Sequence, residues 1–160
     1  MFAPKKIFVP IDFSDEGQEE LANAALDSAL SLAARFEASL VVCSSMPPML
    51  DMLGPDFSGE AAVALEKVAR QAQDRVEERL AQCVERLKKG GVSVESCLAI
   101  GDEGVAKSLV RKSEELGADL IVLPSHGRMG IKRLFLGSVA ERVAHLSKIS
   151  VLLLKPEVSS

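Results

Sequence analysis

Short apolar segments alternate with longer amphipathic segments along the chain, and this alternation constrains the fold more than any other feature. The segments between the apolar runs carry apolar residues at helical spacing, which indicates helices. Strands that alternate with helices pair in parallel through right-handed crossovers. The sequence therefore predicts an α/β fold with an open, doubly wound, Rossmann-like sheet of five parallel strands flanked by four helices. The predicted strands are Ile7–Ile11, Leu40–Cys43, Val92–Leu98, Leu120–Leu123 and Val151–Leu154.

The predicted helices have recognisable ends. The first follows Ser14, a residue type suited to N-capping, and the second ends at a glycine pair that is typical of helix termini. A stretch rich in Pro, Gly and Met, Pro47–Gly59, predicts a loop between the second strand and the second helix. The later helices are predicted at Ala61–Lys89, about Glu103–Leu116 and about Val139–Leu146.

Length and composition predict one ordinary domain. The chain has 160 residues, of which 48% are hydrophobic and 26% charged, enough to bury a core without disulfide or metal support. We expect a single domain over residues 1–160, with its core at about 5–156. No apolar run reaches the length of a signal-peptide core or a membrane span, so we expect a cytoplasmic protein with no membrane partner.

Charge and cysteine content disfavour several classes of function. The net charge of −4 and the absence of Trp and Tyr disfavour general nucleic-acid binding, which needs basic surface and aromatic platforms. The three cysteines are odd in number and contain no C-x-x-C pair, which disfavours a disulfide framework or a zinc site. We expect reduced, buried cysteines and no metal site made by the protein alone.

The strand pattern predicts where a ligand would bind. The first and fourth strands should lie at the centre of the sheet, and ligands of such sheets bind at the carboxyl ends of strands where the strand order reverses. Two segments would meet there, Pro10–Asp12 and Leu123–Gly130.

The loop after the fourth strand has the chemistry of a phosphate site. Gly127 and Gly130 allow backbone N–H groups to approach an anion, and the helix that follows offers its N-terminus and the Ser138 hydroxyl. Arg128, Lys132 and Arg133 add positive charge. A helix end contributes only about 0.3–1 kcal/mol toward an anion, whereas a micromolar complex needs about 8 kcal/mol. Several donors and a base pocket must therefore act together.

Each of these features also has a structural interpretation. Ser138 and Glu141 match a capping box, and Asp12 could be a turn or N-cap residue rather than a ligand for a base or ribose. Ser125-His126 suggests a hydrolase, but no G-x-S-x-G surrounds Ser125. No Walker A or G-x-G-x-x-G sequence occurs.

Several motifs, taken in order, resemble the universal stress protein family over nearly the whole chain. The matching segments are K-K-I-F-V-P-I-D-F-S at Lys5–Ser14, A-D-L-I-V-L-P-S-H-G-R-M-G at Ala118–Gly130, L-G-S-V-A-E-R-V at Leu136–Val143 and S-V-L-L-L-K-P at Ser150–Pro156. The resemblance implies a fold like that of the adenine nucleotide alpha-hydrolases. The nucleotide-binding branch of the family carries G-x-x-G, nine residues, then G-[ST], and here Gly127 and Gly137-Ser138 match.

The resemblance implies roles for individual residues. Positions matching Asp12 and Ser45 contact adenine, the first loop glycine lies by the ribose, and positions matching Gly127, Gly137, Ser138 and Val139 hold the phosphates. Taken together, the predicted nucleotide-binding residues are Pro10, Ile11, Asp12, Ser45, Leu123, Pro124, Gly127, Arg128, Gly130, Gly137, Ser138 and Val139.

The chain departs from the family pattern at three positions. Pro124 replaces the first glycine, which removes an N–H and places a ring where the ribose would pass. Ser45 replaces a typical valine and Ser44 a typical histidine. Ser45 still offers its backbone to adenine, so the substitution at 124 is the more important one.

The resemblance further implies binding of ATP or AMP, with Mg²⁺ or Mn²⁺ held through the phosphates, and no catalysis beyond slow or partner-dependent ATP hydrolysis. It also implies a homodimer. The apolar strand Val151–Leu154 supports pairing independently, because sheet edges are normally protected by charge. Three alternatives remain open. One is a nucleotide-free stress-response protein that acts through its dimer surface, another is a slow ATP hydrolase, and the third is a hydrolase that uses Ser125 or His126.

Overall fold

A computed structural model of the chain describes residues 2–13, 19–49, 58–125 and 137–155. Strands and helices alternate through these residues, as predicted. The strands are β1 (Lys6–Pro10), β2 (Ser39–Met46), β3 (Val94–Ile100), β4 (Leu120–Pro124) and β5 (Ser150–Leu154). The helices are α1 (Glu19–Phe36), α2 (Glu60–Lys88), α3 (Val105–Glu115) and α4 (Ser138–Leu146).

The five strands form one parallel sheet in the order β3-β2-β1-β4-β5. The chain builds outward from β1 to β2 and β3, and then returns to the other side of β1 for β4 and β5. This reversal gives the doubly wound arrangement that the sequence predicts. It places β1 at the centre with β4 beside it, and leaves β3 and β5 at the two edges.

Each face of the sheet has its own apolar layer. Alternate residues of the central strands point to opposite faces, so Ile7 and Val9 pack with α1 and α2, whereas Phe8 packs with α3 and α4. Both layers contain fully buried side chains. Because the two faces are covered, β1 and β4 are apolar almost without interruption, as in other parallel sheets.

The long helix α2 shows how an amphipathic pattern meets one face of the sheet. Its buried residues are Ala69, Leu80, Val84 and Leu87. Charged residues cover the outer side and form short-range ion pairs such as Arg70–Glu66. None of the helices in the described ranges is both long and apolar enough to cross a membrane.

The predicted ends of β2 and β3 are wrong. We expected β2 to stop at Cys43, but it continues through two serines to Met46, and β3 follows it to Ile100 in unbroken register. The turn at Gly91, which has φ of +75°, delays pairing until Val94, two residues after the predicted start. Backbone pairing with a neighbouring strand therefore outweighs the polarity of the serines.

Two other expectations fall on residues outside the described ranges. Ser14, the suggested N-cap of the first helix, is one of them. The predicted loop Pro47–Gly59 is described only at residues 47–49 and 58–59.

Asp119 ties together the amino ends of β1 and β4. Its Oδ2 accepts hydrogen bonds from the backbone N–H groups of Lys5, at 2.7 Å, and Lys6, at 2.8 Å. The Asp119 N–H in turn donates to the Lys6 carbonyl at 2.9 Å. These bonds hold the two central strands in register at the end opposite to the predicted site.

We expect Asp119→Ala to lower the free energy of unfolding by about 1–2 kcal/mol, because two backbone donors lose a charged acceptor. Urea unfolding measures this change. Asp119→Asn, which keeps one oxygen acceptor, should lose less, and Asp102→Ala at an exposed turn is the matched control. Equal stability of Asp119→Ala and Asp102→Ala would contradict the assigned role.

Candidate functional site

The ladder between β1 and β4 stops short of their carboxyl ends, and the place where the two strands continue beyond their last pair is called the crevice below. The two strands pair only at Ile7–Leu120 and Phe8–Ile121, whereas β1 pairs with β2, and β4 with β5, over five positions each. Beyond Phe8 and Ile121, β1 and β4 are therefore no longer register partners. Each remains paired with its outer neighbour, β1 with β2 and β4 with β5. This is the point of strand-order reversal, where open α/β sheets bind their ligands.

Asp12 and Ser45 lie on neighbouring chain segments at this edge. Pro10 is level with Cys43, and the Ile11 N–H continues the ladder by donating to the Cys43 carbonyl at 2.7 Å. Asp12 follows Ile11, and Ser45 lies two residues beyond Cys43 on β2. Asp12 is exposed and Ser45 is half-buried, so both predicted adenine contacts lie at the carboxyl edge of β1 and β2.

The ends of the long loop after β4 are joined by one backbone hydrogen bond. The Gly137 N–H donates to the Ser125 carbonyl at 2.7 Å, and the Ser125 N–H donates to the Leu154 carbonyl at 2.8 Å. Ser125 is buried, with 2% of its surface exposed. The bond places the start of α4 directly beside the end of β4, and so beside the crevice.

The N-terminus of α4 is open. Gly137 is the N-cap, and the first hydrogen bond of the helix runs from the Glu141 N–H to the Gly137 carbonyl. The N–H groups of Ser138, Val139 and Ala140 therefore have no acceptor within the helix. The side chains of Ser138 and Val139 are exposed.

The capping-box interpretation of Ser138 is wrong. Ser138 is the first helical residue rather than the cap, and no side chain caps the helix. A capping box requires the serine one position earlier, in a non-helical conformation. The serine is therefore left without the structural role that the sequence offered as an alternative.

The remaining predicted residues fall into two groups. Pro10 and Pro124 are half-buried and Ile11 and Leu123 are buried, all at the carboxyl edge. Pro124 ends β4 level with Leu154. Gly127, Arg128 and Gly130 lie outside the described residues, as do His126, Lys132 and Arg133.

A second cleft, which the sequence analysis missed, adjoins Asp12 between α1 and α2. It has a volume of about 220 Å³, and polar side chains of both helices line it, among them Asn23, Arg79 and Arg86. The Arg79 guanidinium lies 4.8 Å above the Phe13 ring and donates to the Phe13 carbonyl, while Arg86 pairs with Asp27. The spacing of Arg79 and Arg86, seven residues apart on α2, was the sequence pattern that could have indicated this cleft. The cleft is smaller than the roughly 300–1,000 Å³ of typical ligand pockets.

Comparison with known proteins identifies the family. The model of the universal stress protein family matches residues 4–155. The chain belongs to this family. It is 30% identical over 156 residues to Universal stress protein Sll1388 of Synechocystis, and the match spans 94% of this chain and 97% of that protein.

Solved universal stress protein structures share the fold. The structure of MJ0577, a protein of Methanocaldococcus jannaschii, superposes with a TM-score of 0.76 at 22% identity and covers 99% of this chain and 100% of that one. A universal stress protein in complex with cAMP matches with a TM-score of 0.66 at 24% identity, covering 96% and 98% of the two chains. The universal stress protein of Archaeoglobus fulgidus in complex with dAMP matches with a TM-score of 0.60 at 20% identity. The match covers 95% of this chain and 98% of that one.

We expect Ser138→Ala to change the free energy of unfolding by less than about 0.5 kcal/mol, because Ser138 caps nothing. Ser147→Ala at the other end of α4 should cost about 1 kcal/mol, since the Ser147 hydroxyl accepts from the Ile149 N–H at 3.0 Å. Urea titrations of both variants measure the two free energies of unfolding and test both expectations. A loss of about 1 kcal/mol or more in the free energy of unfolding of Ser138→Ala would contradict this assignment and support the capping-box interpretation.

Proposed function

We propose that this universal stress protein is a cytoplasmic regulator of stress response that binds ATP or AMP at the carboxyl edge of β1, β2 and β4. The observation that carries the proposal is the crevice between β1 and β4 with the open N-terminus of α4 beside it. A nucleotide needs an apolar slot for its base and a set of donors for its phosphates, and the described residues offer both types of surface at one edge.

The base would lie against Asp12 and Ser45. The Asp12 carboxylate accepts a hydrogen bond from an adenine amino group or a ribose hydroxyl, and the Ser45 backbone supplies further donors and acceptors. Ile11 and Leu123 are buried in the apolar layers on the two faces of the sheet. We propose that the strand ends at Pro10 and Pro124 border the base.

The phosphates would lie at the start of α4. Three N–H groups without an acceptor in the helix, the Ser138 hydroxyl and the helix dipole all favour an anion there. The N–H of Gly137 is already used by Ser125, so Gly137 contributes the close approach of its backbone rather than a donor. We propose that Gly127, Arg128 and Gly130 complete this phosphate site.

Two solved relatives support adenine as the base. Relatives with the same fold have been solved with cAMP and with dAMP, and both ligands share the adenine base and a phosphate. We propose that Mg²⁺ or Mn²⁺ enters bound to the phosphates of ATP, since Mg²⁺ in nucleotide sites is typically held by phosphate oxygens and water.

The proposed role is regulation rather than robust catalysis. Fast phosphoryl transfer needs a positioned nucleophile and several charges that stabilise the transition state. Asp12 at this edge is assigned to the base, which is distant from the reacting phosphate of ATP. We therefore propose that the bound nucleotide regulates the protein, and that its hydrolysis is slow or depends on a partner.

We expect the purified protein to bind ATP with Mg²⁺ and AMP in isothermal titration calorimetry. Asp12→Asn should weaken binding by about 5- to 30-fold, because a charge-assisted hydrogen bond contributes about 1–2 kcal/mol more than a neutral one. Gly130→Glu should abolish binding, since it adds bulk and negative charge beside the phosphates. Asp102→Asn, at an exposed aspartate after β3, is the matched control and should bind normally.

Absence of heat at millimolar ATP and AMP would refute the proposal for the wild-type chain. The variant Pro124→Gly then distinguishes a site that the proline ring blocks from a chain without a nucleotide site. Binding by Pro124→Gly alone would show that the proline ring closes the site and would favour a nucleotide-free interaction protein. The near absence of absorption at 280 nm, since Trp and Tyr are lacking, makes co-purified nucleotide visible as a peak near 260 nm.

We also propose that two copies of the chain pair through β5. This strand is at the sheet edge and presents four consecutive apolar residues, Val151–Leu154, with Leu152 36% exposed. An apolar edge strand invites pairing with another strand, and pairing with its own copy gives a closed two-fold dimer.

We expect Leu152→Glu to convert a dimer into a monomer, because each copy would place a carboxylate in the paired strands. Size-exclusion chromatography with light scattering measures the mass. Val63→Glu is the control, since Val63 is an exposed apolar residue on α2, with 68% of its surface accessible, away from this edge. A wild-type monomer at tens of micromolar would contradict the pairing.

A further inference from the structure

Two of the three cysteines lie side by side on neighbouring strands. Cys43 of β2 and Cys97 of β3 are register partners, and both pack in the apolar layer under α3 and α4. Cys83 of α2 packs on the opposite face of the sheet. This pair could not be predicted from the sequence, because 53 residues separate its members and no C-x-x-C motif is present.

The spacing of paired strands allows these two cysteines to form a disulfide. Neighbouring strands lie about 4.7–4.9 Å apart, and the Cα atoms of disulfide-bonded cysteines are about 4.4–6.8 Å apart. Both side chains leave the same face of the sheet, so the two sulfur atoms approach each other without a change of register.

The two thiols differ in exposure and in chemistry. Cys43 is fully buried, whereas Cys97 is half-buried on the edge strand β3. The interaction between the two neighbouring thiols lowers the pKa of Cys97 and raises that of Cys43, whose own S–H donates to the Ser44 carbonyl at 3.4 Å. Lys112 lowers the pKa of Cys97 further and Glu95 opposes this, while burial raises the pKa of Cys43.

This asymmetry is typical of a redox-active dithiol, in which one cysteine attacks the oxidant and the other resolves the product. The more accessible thiol with the more stable thiolate is the one that meets an oxidant, because the thiolate is the nucleophile. The buried thiol beside it is placed to resolve the product. Cys83 has neither property, since burial raises its pKa and its side chain lies on the other face of the sheet.

We propose that Cys43 and Cys97 form a reversible redox site that a hydroperoxide oxidises to an intrachain disulfide, with Cys97 as the attacking residue and Cys43 as the resolving residue.

The reaction balances in two steps. The Cys97 thiolate attacks one peroxide oxygen of hydrogen peroxide, the O–O bond breaks, and the products are a sulfenic acid and hydroxide. The Cys43 sulfur then attacks the Cys97 sulfur, the S–O bond breaks, and the departing hydroxide takes the Cys43 proton as water. Two thiols lose one electron each, and one hydrogen peroxide becomes two water molecules. An external dithiol reverses the reaction by disulfide exchange.

Thiol counting on the full-length protein tests the proposal. After mild treatment with hydrogen peroxide and removal of excess oxidant, denatured protein should titrate with one free thiol instead of three. Intact mass should fall by two hydrogen atoms, and peptide mapping should find Cys43 joined to Cys97. Dithiothreitol should restore all three thiols. Three unchanged thiols, a disulfide that includes Cys83, or oxidation of Cys97 to sulfinic acid without a disulfide would each overturn the proposal.

Variants separate the two roles. Cys43→Ala should stop at the sulfenic acid, which dimedone traps on Cys97, and Cys97→Ala should keep its remaining thiols reduced. Cys83→Ala is the matched control and should form the disulfide as the wild type does. Circular dichroism confirms that each variant is folded, and the wild-type peptide map decides the proposal even where a variant does not fold. Equal dimedone labelling of Cys83 and Cys97 in Cys43→Ala would contradict the assigned roles.

Discussion

The pairing of β1 with β4 is the constraint on which the rest of the molecule depends. A doubly wound sheet must reverse its strand order once, and here the two central strands meet at that reversal with only two register pairs. Asp119 supports the pairing at the amino end through the backbone of Lys5 and Lys6. The strands are thus tied together at the amino end, and their ladder stops short of the carboxyl end, where the reversal of strand order predicts a ligand site.

The hydrogen bond from Gly137 to Ser125 turns the crevice between β1 and β4 into a candidate site. It places the N-terminus of α4 beside the end of β4. Ser125 is itself fixed to β5 through Leu154. This backbone contact therefore determines where the helix dipole acts.

Much of this arrangement could be predicted because it depends on local patterns. The apolar runs of β1 and β4 and the amphipathic stripe of α2 predict the sheet, its centre and the edge at which Asp12 lies. The ends of β2 and β3 could not be predicted, because Ser44 and Ser45 stay in the strand only through their pairing with Leu98 and Ala99. The capping box failed for a similar reason, since the contact between Gly137 and Ser125 sets the start of α4 and leaves Ser138 inside the helix.

Strand β2 connects the two kinds of chemistry found in the molecule. Cys43 and Ser45 are two residues apart, so they project from the same face, and they pair with Cys97 and Ala99 of β3 respectively. The Cys43 carbonyl also accepts the bond from Ile11, the residue before Asp12. A covalent bond between Cys43 and Cys97 would join β2 to the edge strand β3 at the position where β2 also pairs with Pro10 of β1. The backbone that positions Asp12 and the sulfur that would form the disulfide therefore belong to one residue.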